Sequence, residues 1–449
     1  MNGITKHEPM DDDVTRWDVH VEVRVNHRSG VRHDMIRSAV EALLKTHEYI
    51  NIPNTFQDWV GDPVLGDDVE LIHITESAAP TSELPISAAN LLIHVYQPTD
   101  GPIEDQFASG GDDDDEAIVV TTVCELPSRV WEGLWDTLIY EDNIKSRLLD
   151  YIYATLVFSD ANIDPNIVSW NRVVLLHGPP GTGKTSLARA LAQKLAIRLQ
   201  HRYSAGARLL ELNAHSLFSR WFSESGKLVQ RAFSGVMEMA DDPDVFLVLL
   251  IDEVESLTAA RAGAMSGTEP SDALRVVNAL LTQLDKLKLR RNVLIISTSN
   301  LPDAIDSAYV DRADIVQYVG PPSRDAIYFI LRSCVIEIIR AGIIRPIETL
   351  PIEEAYANET SERSGPILPS DPEDLRAAKA SVMLLNLAAK CVGKSGRSLR
   401  RLPVLAFARH MGTGLGRGPS DIGVWLAAME RAIDEDSLGR GTAFQARSA

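Results

Sequence analysis

An α/β fold with a parallel sheet sandwiched by helices is what this sequence predicts, and three stretches predict it. Val173 to Leu176 is a short apolar run of strand type, followed by a turn-rich loop and then a helical pattern from Ser186 to Leu195. Phe246 to Ile251 is continuously apolar, as a central parallel strand requires, and ends in Asp252-Glu253. Val293 to Ser297 is a third such run and ends in Thr298-Ser299-Asn300. Strand and helix patterns alternate between them, which is the signature of parallel strands joined by crossover helices. All three runs deliver polar groups at their C-terminal ends, the edge where open α/β sheets bind ligands.

The chain has 449 residues, enough for about three domains. Its 45% hydrophobic and 24% charged composition is ordinary for a globular protein. A net charge of −19 argues against nucleic acid as the main partner, because phosphate backbones are met by basic surfaces. Cys124, Cys334 and Cys391 are too few and too widely spaced for a disulfide frame or a zinc site. The acidic, polar start resembles no secretory signal, and no apolar run approaches the roughly 18 residues of a membrane span. A soluble intracellular protein is expected.

Residues 1–16 read as a disordered acidic lead-in. From there Val19, Val21, Val23 and Val25 alternate with Asp18, His20, Glu22 and Arg24, the period of a half-buried strand. Met35 to Lys45 carries helical spacing, and strand-like runs follow at Val69–Ile74, Leu91–Tyr96 and Ala117–Val123. Gly101 to Glu116, ending in the acidic, Gly-flanked run Gly110 to Glu116, reads as a solvated loop, with electrostatic docking as the alternative. Residues 17–125 are therefore expected to form an N-terminal mixed α/β domain whose default role is binding. Residues 126–170, with Trp131, Trp135, Tyr140 and a helix over Asp142–Phe158, form a bridge that could supply part of an adenine pocket. The large α/β unit is expected over 171–325 and a small helical lid over 326–449. Within the lid, the stretch 346–372, rich in Pro, Ser, Glu and Asp, reads as a mobile loop. The last helix is expected to start after Ser420 or Asp421 and to bury Ile422, Trp425, Leu426, Met429 and Ile433.

The loop Gly178-Pro179-Pro180-Gly181-Thr182-Gly183-Lys184-Thr185-Ser186 carries the chemistry of a phosphate cradle. Glycines let backbone N–H groups converge on phosphate oxygens, and the helix N-terminus adds its positive dipole end. Lys184 is placed for the β- and γ-phosphates of ATP, and Thr185 with Asp252 for Mg²⁺. Glu253 is the candidate base that orients and deprotonates attacking water, and Asn300 the candidate bridge between that water and the γ-phosphate. Arg312, flanked by Asp311 and Asp314, admits two readings: an intrachain ion pair, or a finger reaching a neighbour's γ-phosphate. Arg397 is either a surface residue at a helix start or a contact to phosphate. Trp221-Phe222 lies among Ser and Gly and is either helix core or an exposed gripping pair.

These residues resemble the Walker A, Walker B, sensor 1 and sensor 2 elements of AAA+ P-loop ATPases. More closely, the chain is similar to the pachytene checkpoint, or thyroid-receptor-interacting, AAA+ family. The likeness is carried by Trp170 to Leu187, Trp221 to Val229, Ile251 to Arg261, Gly267 to Ala273, Val310 to Ile315 and Ser395 to Pro403. It is weakest before residue 130, apart from His20-Val21-Glu22-Val23, and over 345–390. The resemblance implies that Arg312 is the finger and Arg397 the second sensor. It implies that Trp221 and Phe222, with Gly226 and the loop carrying Glu269, line the axial pore of a homohexamer and grip polypeptide. Only Arg312 stands where two arginines are common in the family, so a one-finger arrangement is implied. The family remodels HORMA-domain proteins from closed to open with a HORMA-type adaptor, in meiotic chromosome-axis or spindle-checkpoint control, in nucleus and cytoplasm. Residues 17–125 would then engage adaptor and substrate, with no direct nucleic acid or membrane contact. A DNA-directed clamp-loader type of ATPase and a non-remodelling ATP-gated scaffold are the rivals; the acidic balance opposes the first and Glu253 the second.

Overall fold

The computed structural model describes residues 16–57, 59, 61–101, 104–108, 118–140, 142–164, 167–214, 225–256, 272–301, 305–364, 372–412 and 418–445. Trp221, Phe222, Glu269 and the acidic run 112–116 lie outside them. Gly226 falls in a helix whose side chains are not described at that point.

The N-terminal unit is a four-stranded sheet in the order β3 (Asn54–Phe56), β4 (Val69–Ser77), β1 (Trp17–Val25), β6 (Ala89–Tyr96), with α1 (His33–Leu44) and a small ribbon of β2 (Tyr49–Asn51) and β5 (Glu83–Pro85). Val19, Val21, Val23 and Val25 point into its core beside Ile36, Val40 and Leu44 of α1. The alternation seen in β1 thus holds for that face. The other face is only partly solvated: Asp18 is exposed, but Glu22 is buried, because a helix of the next unit covers it.

The central sheet has the order β13-β9-β12-β11-β10-β8-β7. Here β7 is Glu104–Ala108, β8 Ile118–Leu126, β9 Val173–His177, β10 Ala207–Asn213, β11 Phe246–Asp252, β12 Val293–Ser299 and β13 Ile315–Tyr318. The five strands from β13 to β10 are parallel, and β8 and β7 continue the sheet antiparallel. This corrects the expected boundary at 125. Strands β7 and β8 follow the N-terminal sheet in sequence but complete the edge of the central one, which β10 would otherwise expose. The small unit's own sheet ends at Tyr96.

Helices α2 (Ile144–Asp160) and α3 (Lys184–Arg198) pack on one face of this sheet. On the other lie α4 (Ser225–Ala240) and α5 (Asp272–Leu287). Strands β11 and β12 are buried from both sides, which is why both read as unbroken apolar runs. The lid packs α6 (Arg324–Arg340), α7 (Ile352–Ser364), α8 (Pro372–Lys390), α9 (Gly396–Ala406) and α10 (Ile422–Gln445) around a separate core. The stretch 346–372 reads as a mobile loop in sequence, yet α7 occupies about half of it. That helix has little amphipathic pattern and is held by Ile352 and Ala355, both buried in the lid core. Asp421 caps α10 by accepting from the Gly423 N–H at 2.8 Å, and Ile422, Trp425, Leu426, Met429 and Ile433 are buried.

Candidate functional site: a phosphate loop at the strand ends

Register brings the polar strand ends together. Ser299 pairs with His177, Ile251 with Ser297, and Asn213 with Asp252, so the three apolar strands end along one rim. The loop after His177 closes onto that rim. Its backbone is drawn in tightly at two glycines. A Cβ on Gly178, whose φ is 145°, would lie 2.2 Å from the Val319 carbonyl oxygen. One on Gly181, at φ 78°, would meet Ser395 of the lid at 3.0 Å. Any side chain would push the loop off the sheet in the first case and off the lid in the second.

Lys184 opens α3 and is only 5% exposed. Its Nζ donates to the carbonyls of Gly178 and Pro179, both at 2.8 Å. Burial draws the ammonium below its usual range, while the charges of Glu255 and Asp252 oppose that shift. Two neutral carbonyls are weak holders for a buried cation, so the lysine is available to a stronger acceptor. The Thr185 hydroxyl donates to Asp252 Oδ1 at 3.1 Å, and Thr298 donates to the same oxygen. Glu253 follows at φ 60°, a left-handed conformation that costs energy for a non-glycine residue. Its N–H donates to the Thr298 hydroxyl at 3.3 Å, and the Val254 N–H to the Thr298 carbonyl at 3.0 Å. The kink ends β11 at Asp252.

A cavity of about 810 Å³ lies over these groups. Pro180, Gly181, Thr182, Gly183, Lys184, Thr185 and Ser186 line its floor, with Asp252, Glu253 and Asn300. The lid contributes Arg397, together with Arg400 and Arg401. The bridge contributes Thr137, Leu138, Ile139 and Tyr140. Residues distant in sequence thus share one space: bridge, loop, strand ends and lid.

Arg312 stands elsewhere. It forms a two-point ion pair with Asp285 at 2.9 Å and donates to the Ala308 carbonyl at 2.6 Å. Its own carbonyl is held by Asn171, and the neighbouring Asp314 binds the N–H groups of Asn171 and Val173. The segment is therefore pinned at the start of β9, while the phosphate loop leaves from its end. At about 3.3 Å per residue, that strand separates them by well over 10 Å. The intrachain ion pair is present, and the guanidinium does not line its own chain's cavity.

Two further groups, Glu255 and Thr298, join the site through contacts that residue type and spacing do not announce. Glu255 Oε1 accepts from both the backbone N–H and the side-chain amide of Asn300, at 3.1 and 3.0 Å. Its Oε2 is sealed from solvent and has no partner among the described residues. Thr298 links Asp252 to Glu253. A carboxylate two residues beyond Glu253 was visible in the sequence, but only register shows that it meets Asn300.

Comparison with known proteins agrees with this geometry. The profile of the ATPase family associated with various cellular activities (AAA) matches residues 174–321. That of the TRIP13 N-terminal domain matches 14–101, and that of the TRIP13-like AAA+ ATPase lid C-terminal domain 323–437. The fold and the phosphate loop define an AAA+ ATPase with an N-terminal domain and a C-terminal lid. The pachytene checkpoint protein 2 homolog of Danio rerio is 43% identical over 433 residues, 96% of this chain and 97% of that protein. The Homo sapiens homolog is 43% identical over 422 residues, 93% of each chain. The solved structure of C. elegans PCH-2 superposes with a TM-score of 0.70 at 32% identity, covering 93% of this chain and 99% of that one. The chain belongs to the pachytene checkpoint protein 2 (TRIP13) family of AAA+ ATPases.

Proposed function

We propose that the chain is one subunit of a closed hexameric ring that hydrolyses ATP to pull on HORMA-domain proteins, converting their closed form to the open one. The observation that carries the catalytic part is the gathering of Lys184, Thr185, Asp252, Glu253, Asn300 and Arg397 around one cavity. The residues suit ATP and Mg²⁺: a buried ammonium held only by loop carbonyls, and a hydroxyl–carboxylate pair offering hard oxygen ligands. Gly181, Gly183 and Lys184 would hold the triphosphate, and Thr185 and Asp252 the metal. Bound Mg²⁺ supplies charge neutralisation at the β- and γ-phosphates. Glu253, which lines the same cavity as Asp252, orients the attacking water and takes its proton. Asn300, steadied by Glu255, positions that water, and Arg397 reports phosphate to the lid.

The position of Arg312 supports assembly. A guanidinium at the far end of β9 can serve a triphosphate only on another copy, and head-to-tail contacts of that kind close economically into a ring. Substrate choice, adaptor use, the pore role of Trp221, Phe222, Gly226 and Glu269, and action in meiotic axis or spindle-checkpoint control in nucleus and cytoplasm rest on family membership. Turnover with and without purified HORMA proteins, read beside particle size in ATP, tests the whole. Stimulated turnover by a ring-sized particle is expected, with Trp221→Ala keeping basal hydrolysis and losing remodelling. A lone subunit at saturating ATP, or normal remodelling by Trp221→Ala, would sink the ring and the grip respectively.

A further inference from the structure

The N-terminal sheet ends on β6: β1 pairs with it on one side, and among the described residues no strand lies on the other. Helix α1 covers one face of β6, where Ile93 and Val95 join the core. The C-terminal end of α3 meets the opposite face, where His94 stacks on His20 near Arg198. Between the two helices lies a cavity of about 390 Å³, lined by the consecutive residues Leu91 to Val95. His33 and Arg37 of α1 wall it on one side, and Ile197, Gln200 and His201 on the other. Side chains alternate faces along a strand, so a cavity touching consecutive residues, with a helix from each face, follows the strand's edge.

The backbone there is turned outward. His20 of β1 turns its carbonyl to Thr75 of β4, so Val21 turns its backbone groups to β6 and its opposite number Ile93 turns outward; the Ile93 carbonyl accepts from Arg37 Nε at 3.3 Å. In a parallel ladder residues two apart turn their backbone groups the same way, so Leu91 and Val95 present theirs to the cavity too. Gln200 Oε1, shielded from solvent, meets no donor among the described residues. The ionisable side chains of the lining are His33, Arg37, His94 and His201, with no carboxylate among them, in a chain of net charge −19. Asp34, which pairs with Arg37 at 3.3 Å, is an exposed neighbour outside the lining.

We propose that this groove takes up an extended acidic segment of a partner protein by strand addition along Leu91, Ile93 and Val95, its carboxylates meeting Arg37 and His201. Arg37 now occupies the carbonyl that a strand N–H would take, and binding frees its guanidinium for the incoming carboxylate. Main-chain pairing supplies affinity, and Arg37 with His201 supplies choice. The proposal rests on the N-terminal unit being a partner-binding domain, but not on hydrolysis or threading, so it is tested at equilibrium without turnover.

The probe is a fluorescent peptide of about eight residues alternating valine with glutamate, titrated against the full chain in ADP. Saturable binding is expected, at least about tenfold tighter than for the valine–lysine counterpart. Methylating alternate backbone amides of the probe should remove binding. Arg37→Glu combined with His201→Glu should weaken it roughly tenfold or more while basal ATPase activity, which reports an intact fold, is unchanged. Equal binding of both peptides, retained affinity of the methylated probe, or undiminished affinity of the double variant would overturn the proposal. So would displacement by single-stranded DNA, or binding seen only after removal of residues 1–15, which would give the groove to the chain itself.

Discussion

Lys184 and Lys194 stand on the same helix, α3, and are exposed by only 5% and 3%, yet their surroundings differ in kind. Lys184, at the N-terminal end, is held by the carbonyls of Gly178 and Pro179. Lys194, near the C-terminal end, meets the Glu22 carboxylate of the N-terminal unit at 2.6 Å. Arg198 follows with Glu76 at 2.8 Å, and Trp135 Nε1 donates to the same carboxylate at 2.6 Å. A buried cation held by neutral oxygens can be exchanged onto a phosphate, whereas one held by a buried carboxylate stays as structure. One helix thus carries a ligand-ready end and a seam-forming end. The nature of the acceptor, not burial, separates them.

Arg312 marks the limit of that comparison, because it is paired with a carboxylate and still proposed to act. Its ion pair is surface-exposed and should contribute little to stability. If it serves a neighbour, Arg312→Ala should lower turnover by about 10³–10⁵ with nucleotide affinity and melting temperature nearly unchanged. Turnover within a few-fold of the parent chain would return it to a surface ion pair. At the ligand-ready end, Lys184→Ala should weaken ATP binding by roughly a hundredfold or more, as a lost charge-assisted bond implies. Unchanged affinity in calorimetry would remove the cradle assignment.

At the seam-forming end the expected signature inverts. Lys194→Met should cost about 3 kcal/mol of stability by leaving the buried Glu22 with only the looser Arg198 contact at 3.8 Å, while ATP affinity survives. Denaturant melts and nucleotide titration of one preparation separate these outcomes, and a stable Lys194→Met chain would break the comparison. The smallest effect is one of pH. Burial, aided by the nearby Arg198 charge, lowers His20 to about 4. Burial, then the charges of His20 and Arg198, lowers His94 to about 3. Glu76, Asp18, Lys194 and His201 also face the pair. Both groups bind protons more readily unfolded, so the stability they contribute is complete above about pH 6.5 and is lost as pH falls toward 4 and 3. Melting temperature should therefore drop between pH 7.5 and 5, and by less in a His20→Gln/His94→Gln chain. Equal drops would show that the pair is not responsible.

Much of the catalytic unit was legible because its signals are local. A strand buried on both faces must be apolar throughout, so β11 and β12 could be read directly, and the loop before α3 carries its glycines within a few residues. Less was legible where one element's neighbour is remote. Glu22 follows the polar phase of β1, and nothing near it announces that α3 will cover it. Strand β8 reads as a continuation of the N-terminal unit because it adjoins it in sequence, and β7 falls within Gly101 to Glu116, which reads as a loop because of its acidic, Gly-flanked end. Helix α7 reads as a loop because polar residues dominate it, and its anchors, Ile352, Ala355 and Tyr356 on the lid core and Glu359 on Arg324, meet partners remote in sequence.

The sequence by itself determined the kinds of element, the phosphate loop and the roster of groups able to handle a triphosphate, since these follow from residue type and short-range spacing. Tertiary structure alone decided which of them share a space. It placed Asn300 against Glu255, swung Arg397 over the loop from the lid, and held Arg312 at the opposite end of β9. The reason is physical: strand register and packing between distant segments depend on the summed burial of whole faces, and no local pattern encodes that sum.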